Sequence, residues 1–208
     1  WKGIRLMIDR AYGSLLGAAI GDAMGMPASF MSPDQIKRVY GKITDFMKPA
    51  AEQIAHGSLQ QGEITDDTEE SLIISSVLIE AKRFDTDLFV EKMRRWAIDK
   101  KMLDSTVIGP STRRFLEAII KGKDYLEIGK KGDTNGGAMR AMPIGIFNHG
   151  RIEDAVADAI QSALPSHGSK PGVASTCAVA AAVALGVEGG YTSRQVMEAA
   201  IYAAQRGE

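Results

Sequence analysis

The pattern of apolar and polar positions along the chain favours helices throughout. Between Asp67 and Lys82, apolar residues recur at the three- and four-residue spacing that places them on one face of a helix. Comparable patterns predict helices over Asp9–Met24, Ile152–Leu164 and Val173–Val187, among roughly eight helical segments in all. No segment alternates with the period of two that is typical of strands. The sequence therefore predicts an all-α fold, a single compact multi-helix domain over residues 1–208.

Two helices have apolar faces that the spacing assigns residue by residue. The helix that follows Thr65 is expected to bury five residues on one face: Leu72, Ile73, Val77, Leu78 and Ala81. In the last helix, Thr192 and Gln195 form a predicted capping box. That helix is also expected to bury one face: Val196, Met197, Ala200, Ile201 and Ala204. Phe84 and Phe89 flank the predicted cap Asp85 and should meet as a hydrophobic staple.

The first predicted helix carries glycine at every fourth position. Gly13, Gly17, Gly21 and Gly25 share one stripe, which predicts close approach of another backbone. Pro27 then ends the helix. Asp22 lies near this end, and the local pattern allows it to face either a site or solvent.

Composition limits the classes of function. With 208 residues, 45% of them hydrophobic and 25% charged, the chain is typical of an ordinary globular domain. Its net charge of −1 gives no overall field for nucleic acid or an anionic membrane, so neither is an expected partner. The single cysteine, Cys177, excludes an internal disulfide and fits a reducing, cytoplasmic compartment. The apolar run Val173–Val187 is short for a membrane span of about 20 residues and typical of a buried helix.

The candidate chemistry centres on Thr65, Asp66 and Asp67, where a loop becomes a helix. A hydroxyl and two carboxylates close together suit a hard divalent cation such as Mg²⁺, which prefers oxygen ligands. The same residue types also cap helix N-termini and favour the positive end of the helix dipole. From these residues alone, capping is the favoured interpretation.

Three further stretches are candidates for ligand contact. Gly109 precedes a helix whose first residues include Ser111 and Thr112, and its free N–H groups suit a phosphate, although an ordinary Ser/Thr cap is favoured. Gly132–Arg140 contains paired glycines beside Asn135, which permit an unusual backbone and close approach of a ligand, or form a plain turn. His167 is expected in a loop, and His56 on the solvated surface.

Taken together, four stretches resemble the ordered signatures of the ADP-ribosylglycohydrolase family. They are G-A-A-I-G-D-A-M-G-M-P at 17–27, T-D-D-T-E at 65–69, N-G-G-A-M-R at 135–140 followed by Pro143-Ile144-Gly145, and Ser166-His167. The similarity extends from about Tyr12 to Leu185, most of the chain.

The resemblance implies an all-α hydrolase that cleaves the glycosidic bond at the ribose C1 of an ADP-ribosylated protein or a small ribosyl compound. It implies Mg²⁺, usually as two ions, with Mn²⁺ possible. The matching metal ligands are Thr65, Asp66 and Asp67, and the two aspartates are also the catalytic candidates. The substrate-binding candidates match in two groups: Gly109, Ser111 and Thr112 near the diphosphate, and Asn135, Gly136, Gly137, Ala138 and His167 around the ribose and adenosine.

Two departures from the family pattern keep a second function open. Ser29 stands at or near the position of a family glutamate, and serine cannot serve as a carboxylate base. The family's C-terminal D-x-D-T motif does not occur before Glu208, so the chain is expected to be incomplete at its C-terminus. The alternative is a non-catalytic relative that binds ADP-ribose or has a structural role, as in the crystallins of this family. The sequence leaves the oligomeric state open.

Overall fold

The computed structural model describes residues 2–207, of which the side chain of Lys2 is not described. Within this range the chain is helical and contains no strand, so the all-α prediction is confirmed. Two 3₁₀ helices, Met26–Ala28 and Met102–Asp104, accompany the α-helices. The α-helices are α1 Lys2–Gly25, α2 Pro33–Tyr40, α3 Asp66–Ala81, α4 Thr86–Asp99, α5 Pro110–Ile120, α6 Tyr125–Gly129, α7 Gly136–Met139, α8 Met142–Phe147, α9 Ile152–His167, α10 Lys170–Glu188 and α11 Ser193–Gly207.

Helix α10 lies at the centre of the fold and packs against α7, α8, α9 and α11. Its small residues Ala180, Ala181 and Ala184 are fully buried, which allows the neighbouring helices to approach closely. Its length and composition would also suit a membrane span, but more than half of its most apolar part is buried inside the domain. Cys177 is buried in this helix, as predicted, and burial raises the pKa of its thiol to about 11.

A row of aromatic rings joins α4, α5 and α6 in the core. Asp85 caps α4 by accepting from the N–H of Leu88, and Phe84 meets Phe89 with ring centroids 5.5 Å apart, which confirms the predicted staple. Phe89 stacks on Phe115 at 6.2 Å, and Phe115 meets Tyr125 edge to face. These rings hold α4 and α5 behind the helix ends that form the site.

The predicted buried faces of α3 and α11 are only partly right. In α3, Val77 and Leu78 are buried as expected, but Ile74 is fully buried and Leu72 is 56% exposed. In α11 the capping box of Thr192 and Gln195 forms. The buried residues of this helix are small ones, Ala199 and Ala203, and not the predicted larger apolar ones. Met197 and Ile201 are exposed. Small side chains face α10 because the two helices pack closely there.

Two predictions about helix geometry are wrong. The glycine stripe of α1 meets no other backbone: a Cβ added at Gly13, Gly17, Gly21 or Gly25 would find no atom within 4 Å among the described residues. Helix α9 continues through Pro165 to His167, so His167 lies in the last helical turn and not in a loop. Gly168 ends this turn by donating to the carbonyl of Gly129.

Candidate functional site

Five helix ends meet around one cavity of about 810 Å³. They are the C-terminal part of α1, the N-termini of α3 and α5, the short helix α7 and the last turn of α9. Of the candidate residues predicted from sequence, the following line the cavity: Thr65, Asp66, Asp67, Gly109, Thr112, Asn135, Gly136 and His167. Ser111, Gly137 and Ala138 are not among the lining residues, although each is next to one that is.

Asp22 joins α1 to the first turn of α3. Its Oδ1 accepts from the hydroxyl of Thr65 at 2.7 Å, and its Oδ2 accepts from the Thr65 N–H at 2.8 Å. Oδ2 also accepts from the hydroxyl of Thr68 at 2.6 Å and from its N–H at 3.3 Å. Asp22 therefore faces the cavity rather than open solvent, and it fixes the position of the Thr65–Asp67 turn.

Thr65 is the N-cap of α3, as the capping interpretation predicted. Its Oγ1 accepts from the N–H of Asp67 at 3.3 Å while it donates to Asp22. Asp66 and Glu69 make no cap bond; Glu69 accepts instead from the indole N–H of Trp96.

The carboxylates of Asp66, Asp67 and Glu70 lie close together at the start of α3 and are partly or fully buried. Burial, together with the nearby charges of Glu70 and Asp67, raises the pKa of Asp66 to about 8. Burial also raises the pKa of Asp67, and the charge of Asp22 adds to this increase. No lysine or arginine is among the described residues that line the cavity.

Mg²⁺, the ion that the family resemblance implies, fits this donor set. Thr65, Asp66 and Asp67 offer oxygen atoms to a hard cation, and a cation beside them would favour the charged carboxylates that burial and neighbouring charges disfavour. Within residues 2–207, however, no three His, Cys, Asp or Glu side chains come close enough together to hold an ion by themselves. The set is one part of a coordination shell, and waters or other groups would complete it.

The N-terminus of α5 reaches the cavity without a side-chain cap. Gly109 is the N-cap residue and Pro110 occupies the first helical position, where its missing N–H costs nothing. Ser111 and Thr112 are buried in the first turn and do not cap it, so the favoured capping interpretation of these two residues is wrong. The end of the helix keeps free N–H groups, which favour an anion.

The paired glycines of the Asn135–Arg140 stretch are needed for space and not for an unusual backbone. Residues Gly136–Met139 form a short helix, and neither glycine has a positive φ, contrary to the prediction. A Cβ on Gly136 would lie 2.5 Å from Nε2 of His167, and one on Gly137 would overlap the hydroxyl of Thr176. The atoms that approach the glycines closely therefore belong to the protein itself.

A chain of hydrogen bonds fixes the protonation of His167. Thr134 donates its hydroxyl proton to Ser111 Oγ at 3.1 Å, so its oxygen accepts from His167 Nε2 at 3.1 Å and Nε2 carries the ring proton. Nδ1 is then an acceptor, and it accepts from Ser166 Oγ at 2.8 Å, while the same oxygen accepts from Arg140 at 2.7 Å. Burial, helped by the charges of Arg140 and Arg114, lowers the pKa of His167 to about 3. The imidazole is neutral, with one defined tautomer, at the cavity wall.

The buried pair of Arg140 and Glu70 connects these hydrogen bonds to α3, and the sequence pattern predicts no role for either residue. Both side chains are 0% exposed, and Arg140 also lies over the ring of Phe89 at 4.9 Å. Arg140 belonged to a recognised motif, and Glu70 stands one helical turn after Asp66, which were the available signals. His56 was also missed: it is buried at the cavity wall and not solvated on the surface.

The protein is an all-α domain with an acidic helix N-terminus in a cavity. Comparison with known proteins shows the family to which such a domain belongs. The family model for ADP-ribosylglycohydrolase matches residues 5–208, and the chain belongs to this family. An uncharacterized protein of Archaeoglobus fulgidus is 33% identical over 181 residues, 87% of this chain and 57% of that protein.

Two further comparisons agree with this assignment. The ADP-ribosylarginine hydrolase Tri1 of Serratia proteamaculans is 30% identical over 176 residues, 81% of this chain and 44% of that protein. A solved structure described as an ADP-ribosylglycohydrolase-related protein complex superposes with a TM-score of 0.70 at 23% identity, over 97% of this chain and 62% of that one. The chain thus spans about half the length of the curated relatives it matches.

Proposed function

We propose that the protein is a Mg²⁺-dependent hydrolase that cleaves the glycosidic bond at the ribose C1 of an ADP-ribosylated side chain. The observation that carries the proposal is that Thr65, Asp66 and Asp67 line the same cavity of about 810 Å³ as His167. The hydrogen-bonded series that holds His167 is here called the His167 chain: Arg140, Ser166, His167 and Thr134. A modified arginine is the favoured acceptor, because the relative Tri1 is named as an ADP-ribosylarginine hydrolase.

The residues divide the work of binding between two sides of the cavity. On one side, the wall formed by the neutral His167 and its partner Thr134 would contact the ribose and adenosine, and Thr134 Oγ1 can accept a further hydrogen bond from a ribose hydroxyl. The free N–H groups at the start of α5 lie next to them and suit the diphosphate. On the other side, Asp66 and Asp67 stand where positive charge would grow at C1, and carboxylates stabilise such charge.

Thr65, Asp66 and Asp67 would hold the Mg²⁺. When bound, the ion supplies orientation of the ribose hydroxyls and of the attacking water. In the reaction, the water oxygen bonds to C1 as the bond from C1 to the acceptor nitrogen breaks, and the nitrogen leaves with a proton. Asp22 keeps the Thr65–Asp67 turn in place through its four hydrogen bonds.

Release of ADP-ribose from an ADP-ribosyl-arginine peptide by the full-length protein tests this proposal. We expect hydrolysis with Mg²⁺, none after chelation, and a loss of at least about a hundredfold in kcat/KM for Asp67→Asn. Titration calorimetry should show weaker Mg²⁺ binding by the same variant.

Asp87 supplies the matched control. It occupies the first turn of α4, as Asp67 occupies that of α3, but it is exposed and does not line the cavity. Asp87→Asn should leave kcat/KM within about twofold of the parent. Equal effects of the two substitutions, or Mg²⁺-independent turnover, would refute the proposal.

Ser29 favours one second candidate, a protein that binds ADP-ribose without turnover. It lines the cavity at or near the position of the family glutamate and has no carboxylate to offer. Calorimetry with ADP-ribose separates the two: binding without hydrolysis of any ribosyl substrate supports the binder, and hydrolysis excludes it.

A further inference from the structure

His56 is a buried ring with one nitrogen left without a partner. It is 5% exposed and lines the cavity. Its Nδ1 lies 3.3 Å from the carbonyl oxygen of Met26, which can only accept, so Nδ1 carries the proton. In the neutral ring Nε2 is then an acceptor, and it has no hydrogen-bond partner among residues 2–207. Buried polar atoms are nearly always paired, so an unpaired acceptor in a cavity wall is suited to a ligand donor.

Phe30 stands beside His56 in a conformation that aromatic residues rarely adopt. Its φ is +61°, in the left-handed region, and its side chain is 74% exposed. The two ring centroids are 6.4 Å apart, and both residues line the cavity. An exposed aromatic face next to a buried acceptor suits a planar group that stacks and donates an N–H.

Gln53 links the loop of His56 to Met26 and to Ser29, the residue before Phe30. These five residues are here called the His56 wall: Met26, Ser29, Phe30, Gln53 and His56. The amide of Gln53 donates to the carbonyls of Met26 and Ser29 at 3.2 and 2.9 Å. Its Oε1 accepts from the N–H of His56 at 3.3 Å. A fully used, buried glutamine thus ties the turn after α1 to the loop that carries His56.

The His56 wall is linked to the carboxylates through the end of α1. Met26, whose carbonyl meets His56, follows Asp22 by one helical turn, and Asp22 accepts hydrogen bonds from Thr65 at the start of α3. If the ribose and diphosphate occupy the His167 side, C1 lies near Asp66 and Asp67. The group attached to C1 then extends toward the His56 wall, where Asp22 and Asp67 favour a donor or cation.

We propose that the His56 wall is the subsite for the leaving group, and that it selects a planar group bearing N–H donors, such as a guanidinium. This inference rests on the proposed function. His56 Nε2 accepts one N–H, and Phe30 stacks on the plane. An aliphatic hydroxyl leaving group such as serine has no plane to stack and makes less use of this wall.

Two ADP-ribosylated peptides with different leaving groups test the assignment in the full-length protein. Both carry the same ADP-ribose, one on arginine and one on serine. His56→Phe removes the acceptor and keeps a planar ring, and we expect kcat/KM to fall about ten- to a hundredfold on the arginine peptide but less than about threefold on the serine peptide. Phe30→Leu should reduce the arginine reaction about three- to tenfold.

His56→Gln and His149→Phe are the matched controls. Glutamine keeps a donor for Met26 and an acceptor for the ligand, so the arginine reaction should stay within about fivefold of the parent. His149 is a partly exposed loop histidine paired with Glu188, away from the cavity of the site. Its substitution should change neither reaction. Equal losses on both peptides for His56→Phe, or no loss on either, would overturn the proposal.

A binding measurement separates this proposal from the failure of catalysis. If the parent protein hydrolyses neither peptide, the proposed function fails, but argininamide can still be titrated against the imidazole NMR signals of the protein. A shift of the His56 signals by argininamide, lost in His56→Phe and not produced by serinamide, supports the subsite. The absence of a shift, or equal shifts with both amides, refutes it.

Discussion

Replacement of Arg140 by methionine should destabilise the fold by an amount that follows from its buried contacts. Arg140 pairs with Glu70 and donates to the carbonyl of Ser162 at 3.0 Å and to the hydroxyl of Ser166 at 2.7 Å. Burial raises the pKa of Glu70, and the charge and hydrogen bond of Arg140 oppose that increase. Arg140→Met removes this charge and this hydrogen bond, so the buried carboxyl of Glu70 takes up a proton instead of remaining charged.

The free energy of that protonation bounds the electrostatic cost. A carboxyl whose ordinary pKa is 4.5 costs at most about 3.4 kcal/mol to protonate near pH 7, at about 1.36 kcal/mol per pH unit. The other two hydrogen bonds add about 1–3 kcal/mol. We therefore expect the free energy of unfolding to fall by about 4–6 kcal/mol near pH 7.

The loss should be smaller in mild acid. The folded variant holds a proton on Glu70 that the unfolded chain releases above its ordinary pKa, so stability is lost as the pH rises. Near pH 5 the same protonation costs only about 0.7 kcal/mol, so the deficit shrinks by up to about 2.7 kcal/mol.

Urea unfolding followed by circular dichroism at both pH values measures this effect. Arg95→Met is the control, because Arg95 and Glu91 form an exposed pair in α4 and its loss should cost less than about 1 kcal/mol. The double variant E70M/R140M should regain most of the loss, since no buried charge is left unpaired. A deficit no larger than that of Arg95→Met, or one equal at both pH values, would refute the reasoning.

Three other predictions follow from the same region and from α1. The folded pKa of His167, about 3, lies below its ordinary value of 6.5, so its contribution to stability is complete above pH 6.5 and decreases as the pH falls. Between pH 6.5 and 5, His167→Asn should lose about 2 kcal/mol less stability than the parent in urea titrations; parallel pH profiles would contradict this. Gly136→Ala should lower the melting temperature by several degrees, because its Cβ would lie 2.5 Å from His167 Nε2. In Gly17→Ala the added Cβ in α1 meets no atom within 4 Å, so the free energy of unfolding in urea should rise by about 0.5–1 kcal/mol; a loss of stability would show that another backbone packs against that stripe.

The sequence predicted the helices well because their apolar spacing is regular, but it could not predict which small residues pack most closely. Burial of Ala199 in place of Met197 depends on the distance between α10 and α11, which no local pattern contains. The position of the Thr65–Asp67 turn was predicted because capping and ligand chemistry coincide there. His56 and Glu70 were missed because each depends on a partner distant in sequence: Met26 for His56, and Arg140 for Glu70.

The stretch from Gly136 to Arg140 controls both nitrogens of a single imidazole. At one end, Gly136 leaves room for the Nε2 side of His167; at the other, Arg140 sets Nδ1 through Ser166. A change at either end alters the same ring, so these positions cannot vary independently. Transfer of the Gly136–Arg140 stretch into another helical protein would therefore succeed only if the Ser166-His167 dipeptide and the helix that carries it were transferred together with it.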